Sequence, residues 1–287
     1  IAIGGGNGLT TFGAKAQGQQ SIAIGTSTNA SVTSGDFSTA VGAGASSAGL
    51  QSSAFGNLAS ATGNLSTAVG EGSTSSGTRG AALGAQAFAS GAVSTAVGSR
   101  ATATGANGIA IGGGDGVGTL GANAQGTASI AIGAGGTSAT TAKDFAIAIG
   151  ENTSAANMFA TAVGSAALSD GLRASAFGSN AFADGDFSTA AGANSSALGT
   201  DGVAIGGGGD GVSTFGARAI GAQSVAIGGG NGLTTFGAKA AGTQSIAIGT
   251  NANRITPGGD FSAAVGASAA SSGLQSSAFG NAATASG

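Results

Sequence analysis

The sequence predicts an all-β solenoid of short parallel strands, two to each 14-residue coil. Three observations carry this. A four-residue phrase, Ser/Thr-Ala-Val/Ile/Phe-Gly, returns about eighteen times, most often at a spacing of 14. A second Gly usually stands seven residues before the closing one, as at Gly35, Gly49, Gly63, Gly77, Gly91, Gly105, Gly171 and Gly185. Between glycines the apolar residues alternate with a period of two. Seven residues are too few for a helix and its turn, whereas period-two alternation is the mark of a strand. Short units at a fixed period bury a core only by stacking on one another.

Each element follows in order. The closing Gly stands at Gly4, Gly25, Gly42, Gly56, Gly70, Gly84, Gly98 and Gly112, and the series continues from Gly133 to Gly280. Each seven-residue half reads as a strand of about five residues, with Gly at the corner where other residues are strained. In the first strand, the position two before the closing Gly is Ala throughout: Ala23, Ala40, Ala54, Ala68, Ala82, Ala96 and Ala110 in the first part of the chain. Its neighbours are larger. Side chains alternate across a strand, so Ala lines one face and the larger residues the other. The companion strand carries small residues two and four places before its Gly, as at Ala59 and Ala61, or Ala101 and Ala103. Ala therefore meets Ala inside a narrow two-sided roll.

The opposite face of the first strand then carries a ladder of Ile22, Ile24, Val41, Phe55, Val69, Leu83, Val97, Ile111, Ile130 and Ile132, continued by Ile149, Val163, Phe177, Ile205, Ile227, Ile248, Val265 and Phe279. Burying one such side chain is worth roughly 1.5–3 kcal/mol. A continuous apolar stripe of this length is not a monomer's surface, and closed cyclic symmetry is the usual way to cover it. The sequence predicts an oligomer built on this ladder, without setting the number of chains.

The beat slips in a fixed order. Spacings of 21 begin at Gly4, Gly112 and Gly228, and each is followed by a spacing of 17; one spacing of 22 begins at Gly206. The whole reads as one continuous segment, 1–287, with sub-repeats at about 1–111, 112–224 and 225–287. Insert loops fall near 5–13, 26–36, 113–121, 134–144, 207–216, 229–237 and 250–260. The longer units hold one extra seven, "NGLTTFG" or "DGVGTLG", whose Asn-Gly or Asp-Gly favours a tight turn. That seven is either a protruding hairpin or an added side to the coil. Protrusion is favoured, because a third side would break the stacking with neighbours. The 17-residue units add three residues before Asp-Phe, in stretches that are loops by composition, one of them holding the only proline, Pro257. Such inserts either recognise ligands or are tolerated excursions between coils. Asn7, Leu9, Phe12, Asp210, Asn231 and Phe236 in the inserts are candidate adhesive contacts. So are Leu168 and Phe182, which stand 14 apart on the outer face of the companion strand, where Phe88 and Ile220 are also apolar. Asp36, Asp144, Asp186 and Asp260 each precede Phe, which predicts an Asp-capped corner with the aromatic residue turning inward.

Composition removes most chemistry. The chain has 60 Gly among 287 residues and no Cys, His, Trp or Tyr, and only 7% of it is charged. Without His or Cys there is no Ser-His or Cys-His pair and no ordinary zinc site, so neither an enzyme nor a cofactor or metal site is expected. The net charge of −3 argues against a nucleic-acid partner. "GGDG" at 113–116 and "GGGDG" at 207–211 are isolated, whereas Gly-Asp calcium repeats run in tandem. A mean hydropathy of +0.31 and the regular apolar positions argue against disorder. No apolar run approaches the ~20 residues of a membrane helix. Both ends fall in mid-pattern, so the chain reads as a stretch of a longer one.

"SIAIG" at Ser21 and Ser245, "SVAIG" at Ser224 and "STAVG" at Ser38, Ser66 and Ser94, each followed by a small-x-small-x-Gly half such as "ATATG" at Ala101, resemble the head repeats of the trimeric autotransporter adhesins, the YadA-like family of Gram-negative bacteria. The resemblance covers essentially the full chain. It implies a left-handed parallel β-roll assembled as a homotrimer, with the ladder at the trimer core and Ala23 to Ala110 in the roll interior. The handedness comes from the resemblance alone, since crossovers between parallel strands of one sheet are ordinarily right-handed. It further implies an adhesive head on the cell surface, at the outer membrane of a Gram-negative bacterium. The implied partners are other copies of the chain, extracellular-matrix proteins, abiotic surfaces or like cells. Any membrane attachment would come through regions outside these 287 residues. At ~4.8 Å per stacked coil, about eighteen coils make a rod on the order of 85 Å, suited to many weak contacts adding by proximity. The alternatives are a trimeric phage fibre segment and an ice-binding solenoid. The latter needs a Thr ladder, which breaks here in the run Thr39, Ser53, Thr67, Ala81, Thr95, Ile109, Ile130, Ile147.

Overall fold

The computed structural model describes residues 1–6, 12–30, 32–114, 121–134, 140–209, 216–231, 234–254 and 258–287. These residues form strands, turns and bends and no helix. There are two compact units, Ile1–Phe145 and Ala146–Gly287, each a parallel β-solenoid.

In the first unit, three-residue face strands run from Ile22–Ile24 through Thr39–Val41 and Ser53–Phe55 to Ile130–Ile132, with Ala2–Ile3 paired beside the first. Two-residue return strands run from Ser46–Ser47 to Thr141–Ala142. The second unit repeats the plan, with face strands from Ile147–Ile149 to Ser277–Phe279 and return strands from Ser154–Ala155 to Lys239–Ala240. A separate return pair, Ala270–Ser271 with Thr284–Ala285, lies beyond. Like stacks on like: Ala40 pairs with Ala54, and the register survives the slips, with Ala23 opposite Ala40 and Ala110 opposite Ala131.

The strands are three and two residues long rather than about five, because each seven-residue half gives four residues to a corner. The turn runs from Gly42 to Ala45, whose N–H donates to the Gly42 carbonyl at 3.2 Å, and the same bond recurs from Ser52 to Gly49. The Ser that opens many phrases sits at this closing position, buried, and its hydroxyl can donate to the same carbonyl, as Ser94 does to Gly91 at 2.7 Å.

Corner strain falls differently from the sequence reading. The closing glycines do have positive φ, 128° at Gly70 for instance, but the third residue of the turn is also left-handed and is mostly not Gly. Phe37, Leu58, Leu65, Val93 and Arg173 all have φ between 56° and 58°. With φ negative before it and positive here, the corner is a type II turn. A left-handed residue with a Cβ costs roughly 1–2 kcal/mol. The stacking offsets this, because each such N–H is tied to the preceding coil: Leu65 donates to Leu50 O and Val93 to Thr78 O, both at 2.8 Å.

The interior is made of very small side chains. Ala23, Ala40, Ala54, Ala68, Ala82, Ala96 and Ala110 are fully buried, opposite Ala59, Ala61, Ala87, Ala89, Ala101 and Ala103. Among the described residues the largest fully buried side chain is Asn29, followed by Asn253 and threonines. A buried Ala methyl contributes about 0.8 kcal/mol, far less than a Leu or Phe. The frame is therefore held chiefly by backbone ladders along the stack.

The Asp-Phe corners correct one expectation. Asp36, Asp144, Asp186 and Asp260 do act as corner acceptors, but for the coil before their own. Their Oδ1 atoms accept from the N–H groups of Gln19, Thr127, Leu172 and Thr243 at 2.7–2.8 Å. The following Phe37, Phe145, Phe187 and Phe261 turn outward, about half exposed. They occupy the left-handed turn position, which projects the side chain away from a core too narrow for a ring.

Candidate interaction surface

The outward side of the face strands is where the larger apolar residues stand. Ile24, Phe55, Val69, Leu83 and Ile111 in the first unit are exposed, as are Ile149, Phe177, Ile205, Ile227 and Phe279 in the second. Ile22, Val41, Val97, Ile130 and Ile132, with Val163, Ile248 and Val265, are half-buried on the same side. Phe55 is 40% exposed, while Ala54 beside it is 0% exposed. The ladder is stacked directly, Val41 on Phe55 and Phe55 on Val69. None of its members lies among the fully buried side chains of the roll.

The inserts leave the coil at the corner between face and return strand. Where a normal corner spans two residues, Gly112 and Ala122 are separated by nine, yet the Ala122 N–H still donates to Gly112 O at 3.0 Å. The same closure joins Ala14 to Gly4, Ala217 to Gly206 and Ala238 to Gly228, at 2.9–3.2 Å. The return strand then resumes in register, Asn123 beside Thr102 and Lys239 beside Arg218. The described residues on either side of the extra seven keep the corner bond and the register of the stack.

The 17-residue coils use a different device. In the coil from Gly25 to Gly42 the described residues form no return strand. The buried Asn29 side chain takes its place, donating through Nδ2 to Lys15 O at 3.3 Å and accepting from the Ser47 N–H at 2.7 Å. Asn253 Oδ1 likewise accepts from the Ser271 N–H at 2.7 Å. The coil from Gly133 keeps its return strand, Thr141–Ala142, and saves a residue at the next corner, where Lys143-Asp144 has no Gly.

Of the candidate adhesive residues, Asn7, Leu9 and Asp210 lie outside the described residues. Phe12 is exposed, and its backbone is clipped to Ser27 by two hydrogen bonds, N–H to Oγ at 3.0 Å and O from N–H at 2.7 Å. Phe236 is clipped likewise to Asn251, and the Arg254 guanidinium lies 3.4 Å from its ring centroid. Asn231 is exposed and folds its own loop, accepting from the Thr234 and Thr235 N–H groups at 3.0 and 2.9 Å. Leu168 and Phe182 are neighbours on adjacent return strands, half-buried.

Two clusters escaped the sequence reading. Arg173 stands between Phe159 and Phe187, 5.3 and 5.8 Å from their ring centroids; the 14-residue spacing of the three was the available signal. Asp170 and Asp184, also 14 apart, repel each other, and burial together with that repulsion raises the Asp170 carboxyl above its ordinary value. Among the described residues, no group of three or more His, Cys, Asp or Glu is placed to hold a metal ion.

Coils of this length, with two glycine corners and an alanine interior, define a parallel β-solenoid repeat protein. The family model described as "YadA head domain repeat" matches residues 16–45, 34–59, 47–70, 61–87, 89–114, 142–167, 169–195, 183–208, 236–252 and 271–287, well over half of the chain, and the chain belongs to that family. The unmatched stretches include most of the insert loops. No curated protein matches the chain.

Proposed function

We propose that this chain is the adhesive head of a trimeric autotransporter, exposed at the outer membrane of a Gram-negative bacterium. In this reading three left-handed rolls pack their face ladders together around a common axis. Return faces and inserts then point outward and attach, through many weak contacts, to host matrix proteins, abiotic surfaces or like cells. The role is structural and adhesive, without catalysis. One observation carries the assembly: every large apolar side chain of the ladder lies outside the roll, while the inside holds only residues the size of Asn or smaller among those described. A surface stripe of this kind needs a partner, and a second and third copy offer the same stripe. Family membership supports the adhesive role.

Light scattering behind a sizing column, on the untagged 25.8 kDa chain, tests the assembly. The expected mass is three times that of the chain. A monodisperse single-chain mass with a β-type circular dichroism spectrum overturns the trimer. Beads coated with the chain should adhere to matrix-coated surfaces; beads that adhere no better than uncoated ones overturn the adhesive role.

A further inference from the structure

We infer that the return face of the second unit carries a binding site for an acidic glycan, centred on Arg218, Lys239 and Arg254. These are three of only eight basic residues in a chain of net charge −3. They line one cavity of about 180 Å³, together with Phe236, Gly216 and Gly237, and among the described residues no acidic one lines it. Arg218 and Lys239 are register partners on adjacent return strands, and Arg254 reaches them from the loop of the next, 17-residue coil. An oxyanion bound between Arg218 and Lys239 gains charge-assisted hydrogen bonds.

A second opening, which shares Arg254 with this cavity, has features that suit a sugar. It measures about 400 Å³, and Asn251, Ser268 and Thr284 offer an amide and two hydroxyls there. A ligand with an anionic group at one end and hydroxyls at the other fits this order, as in a sulfated or carboxylated sugar unit. The internal duplication shows that the cluster is not a by-product of the repeat. In the first copy Lys15 matches Lys239, but its Nζ donates to Ala30 O at 2.8 Å, and Ala30 holds the place of Arg254. In the middle copy the pair Arg218 and Lys239 is replaced by the neutral Thr102 and Asn123. The site is on the return side of the coil, opposite the face ladder, and is built within one chain, so it does not depend on assembly through the ladder.

Calorimetric titration of the full chain with a heparin-derived tetrasaccharide, and separately with a hyaluronan tetrasaccharide, tests the site and tells sulfate from carboxylate. Binding by either is expected, weakening as salt rises. Lys239→Gln should reduce affinity about tenfold, and Arg254→Gln at least as much. Lys239 makes no ring contact with Phe236, so its substitution guards against a fold effect at Arg254, and Lys15→Gln should leave binding unchanged. Absence of binding by both sugars, equal loss with Lys15→Gln, or binding only to phosphatidylserine vesicles overturns the site. A monomeric mass in light scattering leaves this measurement intact, so the two proposals fail separately.

Discussion

Two glycine ladders in this chain answer to different constraints. At Gly70 the backbone has φ of 128°, which a side chain resists. At Gly63 φ is ordinary, and the constraint is the next coil: a Cβ there would sit 2.6 Å from the carbonyl carbon of Gly77 and closer still to its oxygen. Gly63→Ala should therefore lower stability by about 2–3 kcal/mol, read from the denaturant midpoint, because two backbones must separate. Val93→Gly should act in the opposite sense. It relieves a β-branched residue at φ of 58°, and the gain of roughly 1–2 kcal/mol exceeds the entropic cost of Gly by about 0.5–1 kcal/mol. An unchanged midpoint for either would refute the account of the corners. Asp170 makes a pH prediction. Its folded carboxyl titrates above the ordinary value, through burial first and Asp184 second. The folded chain thus holds more protons than the unfolded chain between the two values, and stability falls as pH rises through that window. Melting curves from pH 3 to 7 should show this component, and Asp170→Asn should abolish it.

At the scale of the element, the corner bond makes the inserts removable. Deleting residues 115–121 joins Gly114 to Ala122 and leaves Gly113 and Gly114 as a two-residue corner, with the bond from Ala122 to Gly112 O already in place. The shortened chain should keep its circular dichroism spectrum and be as stable or about 1 kcal/mol more so; loss of the β signal would mean that the excursion is part of the coil. Much of the element pattern was legible in the sequence. The Ala two places before each closing Gly, the small pair of the return strand and the stacked Leu168 and Phe182 all follow from period-two alternation on a 14-residue beat. The strand lengths did not, because the left-handed turn position tolerates Leu65, Val93 or Phe37 once its N–H is tied to the previous coil, and no residue type marks it. Asn29 was hidden because its amide replaces backbone that the pattern assumes is present. Arg218, Lys239 and Arg254 were hidden because inserts set them 21 and 15 apart, so their stacking shows only when the excursions are taken out.

For the whole molecule, folding and assembly draw on different residues. The interior of each unit needs Ala, Ser, Thr and Gly; the ladder needs Ile, Val, Leu and Phe outside. Replacing Leu83 and Val97, neighbours on the face sheet, by Glu should leave the coils folded and reduce the light-scattering mass from three chains to one. Burial of each is worth roughly 1.5–3 kcal/mol and would recur three times in the proposed trimer. If the double variant loses its β spectrum as well, folding and assembly are a single event and the separation is wrong. The narrow alanine interior also bears on how such a surface changes over generations. Since almost nothing that points outward on the return side supports the frame, those positions can be rewritten one at a time without unfolding the chain. Residues 1–56 and 225–280 are near copies, yet one carries Ala30 where the other carries Arg254. Duplication followed by such a swap lets one scaffold carry different outward chemistry in successive copies.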